Sequence, residues 1–189
     1  MDIGLIIFII VLLFRLLAPL TILKWPFWGL FIAILGDISD VMLFQKFGSG
    51  PLTGEYYHNF DKLFDTWYLF LAFVVVFRWK DVLARRTAKL LFIWRFAGFA
   101  VFEIATLFGM AAAFRPAFLF APNIFEFFFL FWAFVLKFAP GFKLTPKRLI
   151  IVLLLIGVPK IIQEYIMHYR FTDQTWAFIR DNFFYWLYD

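Results

Sequence analysis

The chain has 189 residues but no cysteine and only two histidines. The absence of cysteine excludes disulfide bonds, a thiolate nucleophile and any cysteine-ligated metal site. The chain also has no internal repeat. Its first residues, Met1 to Leu5, lack the basic segment and the small-residue cleavage site of a signal peptide. We therefore expect a retained first membrane span.

Hydrophobic residues make up 65% of the chain, and its mean hydropathy is +0.87. Thirty-one phenylalanines, eight tryptophans and seven tyrosines are more aromatic surface than a soluble domain of this size could bury. This composition excludes the soluble globular class and is typical of a polytopic helical membrane protein. In such a protein, lipid and helix packing accommodate the aromatic side chains.

Six apolar stretches are each about long enough to cross a hydrocarbon layer of ~30 Å. They cover about 3–23, 27–46, 59–77, 90–113, 124–138 and 149–168. The predicted fold class is all-α: a single transmembrane domain over 1–189, built as a bundle of six helices. Asn59 is a predicted N-cap of the third span. A short interfacial helix is predicted near 173–188.

The formal net charge is +5, and the basic residues gather in short connections. The segments 78–89 and 137–148 hold five and four of them, which predicts two cytoplasmic loops that contact lipid headgroups. By the same rule the acidic residues of the second and third spans face outward. We expect the cytoplasmic membrane of a prokaryote, with membrane lipids as partners and no nucleic acid. A homo-oligomer or a larger membrane complex stays open.

Four aspartates lie in or beside the second and third apolar stretches, as Asp37-x-x-Asp40 and Asp61-x-x-x-Asp65. A carboxylate costs roughly 2.5–3.5 kcal/mol at the centre of a membrane helix. The spacings put each pair on one helix face, and the short connection brings both pairs to the same level. Oxygen ligands of this kind suit Mg²⁺, Mn²⁺ or Ca²⁺ better than zinc. Four accessory polar residues accompany the aspartates: His58, Lys62, Arg95 and Glu103.

The predicted spans contain seven acidic and four basic side chains, so their charges do not balance. Buried groups must lose such an excess by protonation or by binding cations. A divalent metal would offset it, and protonation would serve equally well.

The two aspartate pairs resemble the signature of the CDP-alcohol phosphatidyltransferases, D-x-x-D-G-x-x-A-R followed by G-x-x-x-D-x-x-x-D. The resemblance covers about 30 residues, from Asp37 to Asp65, and the chain length and number of spans agree with it. The glycine, Ala-Arg and second glycine positions of the signature hold Val41, Phe44-Gln45 and Tyr57 here.

The resemblance implies a phosphatidyl-type transfer to an alcohol. It also implies Mg²⁺ or Mn²⁺ as cofactor, and no organic cofactor is indicated. By position, Asp37, Asp40 and Asp61 would be metal ligands, and Asp65 a ligand or the catalytic general base.

Two other functions stay open. In one, the protein is non-catalytic or a complex subunit, and its acids pair with Arg15, Lys62, Arg95 and Lys160 to hold helices together. In the other, it is a small cation or proton carrier, with Asp37, Asp40, Asp61 and Glu103 along a pathway.

Overall fold

The computed structural model describes residues 3–47, 55–110 and 120–165, and within these ranges it excludes the side chains of 55–61, Val41, Gln45 and Thr106. The described α-helices are α1 (Ile3–Leu17), α2 (Pro26–Phe47), α3 (Glu55–Val76), α4 (Val82–Leu107), α5 (Ile124–Phe138) and α6 (Pro146–Tyr165). A 3-10 helix, Ala18–Leu23, follows α1, and no strand occurs among the described residues. The predicted all-α fold class is confirmed to this extent.

Two helical segments, Ile3–Leu23 and Pro26–Phe44, are long and apolar enough to cross a membrane. Among the other described helices, α5 has 15 residues, and α3, α4 and α6 each carry four or more charged side chains. The six-span bundle therefore stays a prediction. The predicted interfacial helix at 173–188 lies outside the described residues.

The described helices group into two compact units. The first contains the chain up to Lys80 together with Phe129–Phe142, and the second contains Asp81–Phe128 and the chain from Lys143 onward. Helix α5 contributes to both units. A single transmembrane domain over 1–189 stays a prediction.

In the first unit, α1 and α2 form a helical hairpin. Pro19 cannot donate a main-chain hydrogen bond, and the chain tightens here into the 3-10 helix, in which the Thr21 hydroxyl donates to the Ala18 carbonyl at 2.6 Å. A turn follows, with the main-chain N–H groups of Lys24 and Trp25 donating to the Thr21 carbonyl. Helix α2 then begins at Pro26, since proline suits the first helical position.

Small residues on one face of α2 allow the two arms of this hairpin to approach closely. Gly29, Ala33, Gly36 and Asp40 recur every three or four residues, which places them on one stripe. A Cβ atom at Gly29 would lie 2.6 Å from the Cα atom of Ile22, well inside van der Waals contact. Small residues serve helix pairs in membranes in the same way.

Helix α3 is fastened to the hairpin by two side chains that donate to main-chain carbonyls. The indole N–H of Trp67 donates to the Leu16 carbonyl at 3.1 Å, and the Arg78 guanidinium donates to the Leu23 carbonyl at 2.7 Å. Both carbonyls lie in a last helical turn, where such groups lack a partner within the helix. The prediction of Asn59 as an N-cap is wrong, because α3 begins at Glu55.

In the second unit, α4 begins within the segment predicted as a basic loop. Asp81 caps the helix by accepting from the Ala84 N–H at 2.8 Å. Ala84 and Ala88 are fully buried. The packing of this alanine face stabilises a helix through the basic segment. The helix ends in a Schellman motif, with Gly109 at φ +72° and the Met110 N–H donating to the Ala105 carbonyl.

Candidate functional site

Arg15 occupies the buried face of α1. Gly4, Val11 and Arg15 are the buried residues of this helix, and spacings of seven and four put them on one side. Only 3% of the Arg15 side chain is exposed. A guanidinium buried to this degree has to be paired, because desolvating an unpaired ion costs several kcal/mol or more.

Three of the four aspartates surround the Arg15 guanidinium. Its Nη2 atom lies 2.7 Å from Asp37 Oδ1 and 2.8 Å from Asp65 Oδ1. Its Nη1 atom donates to Asp40 Oδ2. The ring of Phe64 lies beneath the guanidinium carbon, which is 5.8 Å from the ring centroid. One cation therefore joins α1, α2 and α3.

The three carboxylates differ in their access to the surface. The Asp40 side chain is 1% exposed, whereas those of Asp37 and Asp65 are 31% and 32% exposed. Asp37 and Asp65 therefore lie partly at the surface, while Asp40 is buried inside the cluster.

Counted against Arg15 alone, the three carboxylates carry two negative charges in excess. At an effective dielectric constant of about 20, unit charges 4 Å apart interact by about 4 kcal/mol. Attraction between Arg15 and three acids is thus opposed by repulsion of similar size among the acids.

An apolar groove of about 360 Å³ lies between α1 and α2. Its walls are mostly aliphatic and aromatic, and its polar lining consists of Arg15, Ser39 and Asp40. Ile10, Ile32 and Leu35, which also line it, are exposed. Two members of the charge cluster, Arg15 and Asp40, therefore form part of the wall of an otherwise apolar groove.

The remaining predicted site residues lie elsewhere on α3 and on α4. Asp61 and His58 lie on α3, but their side chains are outside the described residues. Lys62 is partly exposed on α3. Arg95 and Glu103 lie on α4, in the second unit.

A second buried charge cluster surrounds Glu164 in that unit. The Glu164 carboxylate lies 3.9 Å from an Arg95 nitrogen and 3.7 Å from Lys160 Nζ, and it accepts from the Asn123 main-chain N–H at 3.4 Å. The Asn123 side-chain amide donates to Glu126, which is also buried. Among the described contacts, both cations of this cluster lie near Glu164, and Glu126 joins it through Asn123.

The oxygen donors around Arg15 are of the kind that Mg²⁺ and Mn²⁺ prefer. Asp37, Asp40 and Asp65 would supply them, and the ion would neutralise a phosphate group bound beside it. In the described residues, however, no group of three or more acidic or histidine side chains is arranged to hold a metal ion. Each of the three carboxylates instead directs an oxygen at Arg15. The carboxylate oxygens are therefore suitable ligands for a divalent ion, but Arg15 contacts the same oxygens in this structure.

No protein family, curated protein or solved structure matches this chain.

Arg15 is the residue that sequence reasoning left out of the predicted site. The hairpin turn at Lys24–Trp25 offered a signal. Arg15 precedes Lys24 by nine residues and Asp37 follows Trp25 by twelve, and the longer rise per residue of the 3-10 helix makes up most of the difference. In an antiparallel pair of helices, residues equally far from the turn lie at the same level.

Proposed function

We propose that the protein is an integral membrane protein that uses the Asp37/Asp40/Asp65 cluster as a divalent-cation site for lipid phosphotransfer. In this it would be similar to the CDP-alcohol phosphatidyltransferases. The observation that carries the proposal is the convergence of these three aspartates, from two helices, beside a mostly apolar groove that Asp40 also lines.

Membrane insertion is supported by the outer surface of the two most apolar helical segments. Ile10, Leu13 and Leu17 on α1, and Trp28 and Leu35 on α2, are more than two-fifths exposed. An exposed apolar surface of this extent is stable in hydrocarbon and is an aggregation site in water. In the proposed function this exposed apolar surface contacts lipid.

A lipid substrate is supported by the groove. Its volume of about 360 Å³ equals that of roughly a dozen water-sized groups at ~30 Å³ each. About a dozen methylene groups of an acyl chain would fill this volume, and Arg15 and Asp40 would meet the polar part of the lipid.

The test is Mn²⁺ binding by the purified protein in detergent, followed by electron paramagnetic resonance. The wild type should bind Mn²⁺, and Asp40→Asn should lower the affinity at least tenfold. Asp81→Asn is the matched control, because asparagine keeps the α4 cap and the residue lies in the other unit. Wild-type protein that binds no Mn²⁺, or binds it as well after Asp40→Asn, would refute the cation site. CMP release from CDP-diacylglycerol with Mg²⁺ tests the transfer itself.

A second candidate function is favoured by Arg15. In that case the protein is non-catalytic, and the cluster serves as a packing device in which one guanidinium holds three helices together. Removing a buried partner of this kind costs about 3–5 kcal/mol. If Arg15→Met lowers stability by that amount and no variant binds Mn²⁺, the packing function is correct.

A further inference from the structure

We propose that the starts of α4 and α6 form one basic surface in the second unit, and that this surface binds the headgroups of anionic phospholipids. The sequence predicted two separate basic loops, at 78–89 and 137–148, whereas most of the first segment belongs to α4 in the structure. The surface lies outside the Arg15 cluster. Its test therefore does not depend on whether the first unit binds a cation.

Contacts with the start of α5 give the direction of α4. The ring centroids of Phe92 and Phe125 lie 5.2 Å apart. Three residues further along α4, the Arg95 guanidinium donates to the carbonyl of Ala121 at 3.0 Å, at a point earlier in the chain than Phe125. Because position along α4 rises as position along this segment falls, α4 runs antiparallel to the start of α5.

The same comparison gives the direction of α6. Lys160 Nζ lies 5.2 Å from the centroid of the Phe127 ring. Four residues further along α6, the Glu164 carboxylate accepts from the Asn123 main-chain N–H at 3.4 Å. Helix α6 is therefore also antiparallel to the start of α5, and it runs in the same direction as α4.

The starts of α4 and α6 lie at the same end of the unit. Arg95 and Glu164 mark a common level, since their charged groups are 3.9 Å apart. Helix α4 begins at Val82, 13 residues before Arg95, and α6 begins at Pro146, 18 residues before Glu164. At 1.5 Å per residue these lengths are about 20 and 27 Å, so the two starts differ in level by little more than one helical turn.

This end of the unit is strongly basic. Residues 81–89 and 143–149 include six basic side chains and one acidic side chain. Arg86 on α4 is exposed, as are Lys143 and Lys147 at the start of α6. The Arg148 guanidinium donates to the Lys143 carbonyl at 2.9 Å, which holds Lys143 beside this helix start. Cations grouped in this way attract anionic lipid headgroups at short range.

Apolar side chains follow these cations on the same helix faces. Leu90 and Ile93 lie four and seven residues after Arg86, and Ile151 lies four residues after Lys147. All three apolar side chains are more than half exposed. A phospholipid presents its groups in the same order, a phosphate and then acyl chains. An acidic protein or a nucleic acid would leave the apolar side chains uncovered, so a lipid is the partner that this surface fits.

Native mass spectrometry tests the proposal on protein released from nanodiscs that contain equal amounts of phosphatidylglycerol and phosphatidylcholine. The wild type should retain the anionic lipid at least tenfold over the zwitterionic one, because each cation near an anionic surface contributes about fivefold. The triple variant Arg86→Gln, Lys143→Gln, Lys147→Gln should lower this preference to about twofold or less. No preference in the wild type, or an undiminished preference in the triple variant, would overturn the proposal.

Two control variants separate this surface from the overall positive charge. Lys24→Gln, Lys80→Gln and Lys137→Gln together remove three exposed cations from the first unit and should leave most of the preference. Exchanging lysine for arginine, and arginine for lysine, at the three positions of the surface keeps each charge and should retain the preference. An equal loss in the two glutamine variants would show that net charge alone attracts the lipid, and the proposal would be wrong.

A second measurement uses the wild type and does not depend on whether a variant folds. Spin-labelled lipids in reconstituted vesicles report, by electron paramagnetic resonance, the fraction of each lipid held at the protein. The preference for phosphatidylglycerol should fall several-fold between about 0.1 and 1 M salt, because the screening length shortens from about 10 to 3 Å. Glycerophosphoglycerol, the headgroup without acyl chains, should not displace the lipid. A preference that is independent of salt, or that the free headgroup abolishes, would contradict the proposal.

Discussion

The two units of the molecule each bury a charge cluster, and the clusters are built in opposite ways. In the first unit one cation, Arg15, contacts three carboxylates, with Nη2 at 2.7 and 2.8 Å from two of them. In the second, Glu164 lies 3.7 and 3.9 Å from two cations, beyond hydrogen-bond distance. Among the described contacts, one carboxylate, Glu164, lies near two cations in the second cluster, whereas three carboxylates contact one cation in the first.

This difference bears on what each cluster can bind. A carboxylate that already lies near two cations gains little from an additional one, so the second cluster contributes to packing. A set with excess negative charge gains from any cation that reaches it. The comparison therefore predicts that the two clusters respond differently to the loss of a charge and to added metal.

The largest effect is expected for Arg15→Met. It leaves Asp40 buried without its guanidinium partner and should lower the free energy of unfolding by about 3–5 kcal/mol. Denaturant unfolding in mixed micelles measures this. Mn²⁺ should recover about 2.7 kcal/mol at a hundredfold excess over its dissociation constant. Arg95→Met should lower the free energy of unfolding by less, and Mn²⁺ should not restore it. If both variants lost the same stability and Mn²⁺ restored neither, the proposed difference between the two clusters would be wrong.

The next effect concerns the approach of the 3-10 helix to α2 near the turn of the hairpin. Gly29→Ala forces apart main-chain atoms of α2 and the 3-10 helix, so it should cost about 1–3 kcal/mol. Gly157→Ala on α6 is the matched control, since its Cβ would lie 3.4 Å from Ile124 Cδ1. That change should be close to neutral or stabilising, because alanine favours a helix by up to ~1 kcal/mol. Thermal unfolding distinguishes them, and a harmless Gly29→Ala would show that the hairpin is not closely packed there.

Glu164→Gln should have a smaller effect, about 1–2 kcal/mol, because the carboxylate contacts its cations only at long range. Mn²⁺ affinity should not change. Glu103→Gln, a partly exposed acid on the same unit, provides the control in both measurements. A loss of Mn²⁺ binding on Glu164→Gln would contradict the assignment of metal binding to the first unit.

The smallest effect is expected for Asp37→Asn. The change removes one attraction to Arg15 and also the repulsion from the other two acids, and the side chain is 31% exposed. The net change in stability should be within about 1 kcal/mol. Chemical denaturation of Asp37→Asn and Asp40→Asn, measured in parallel, checks this. A larger loss of stability for Asp37→Asn than for Asp40→Asn would contradict the assignment of Asp40 as the more buried acid.

Sequence periodicity gave the helical class, because long apolar stretches leave few alternatives. It also grouped Asp37 with Asp40, since their spacing lies on one helix face. Helix boundaries were harder to predict from the sequence. The basic segment is part of α4 because Ala84 and Ala88 are buried, and the first apolar stretch is divided at Pro19 into an α-helix and a 3-10 helix. The charge composition predicted an excess of acidic residues, but it did not predict which cation would pair with them.

The role of Arg15 could not be read from its own neighbourhood, which is entirely apolar from Val11 to Leu17. Its partners are 22, 25 and 50 residues away, and only the turn at Lys24–Trp25 and the contacts of α3 bring them together. The metal-ligand and catalytic roles of the aspartates stay predictions.

An anomalous difference map from crystals grown with Mn²⁺ tests the central claim most directly. The proposed site predicts a peak bonded to carboxylate oxygens of the Asp37/Asp40/Asp65 cluster. No peak at these aspartates, with Arg15 Nη2 still 2.7–2.8 Å from Asp37 and Asp65, would contradict it.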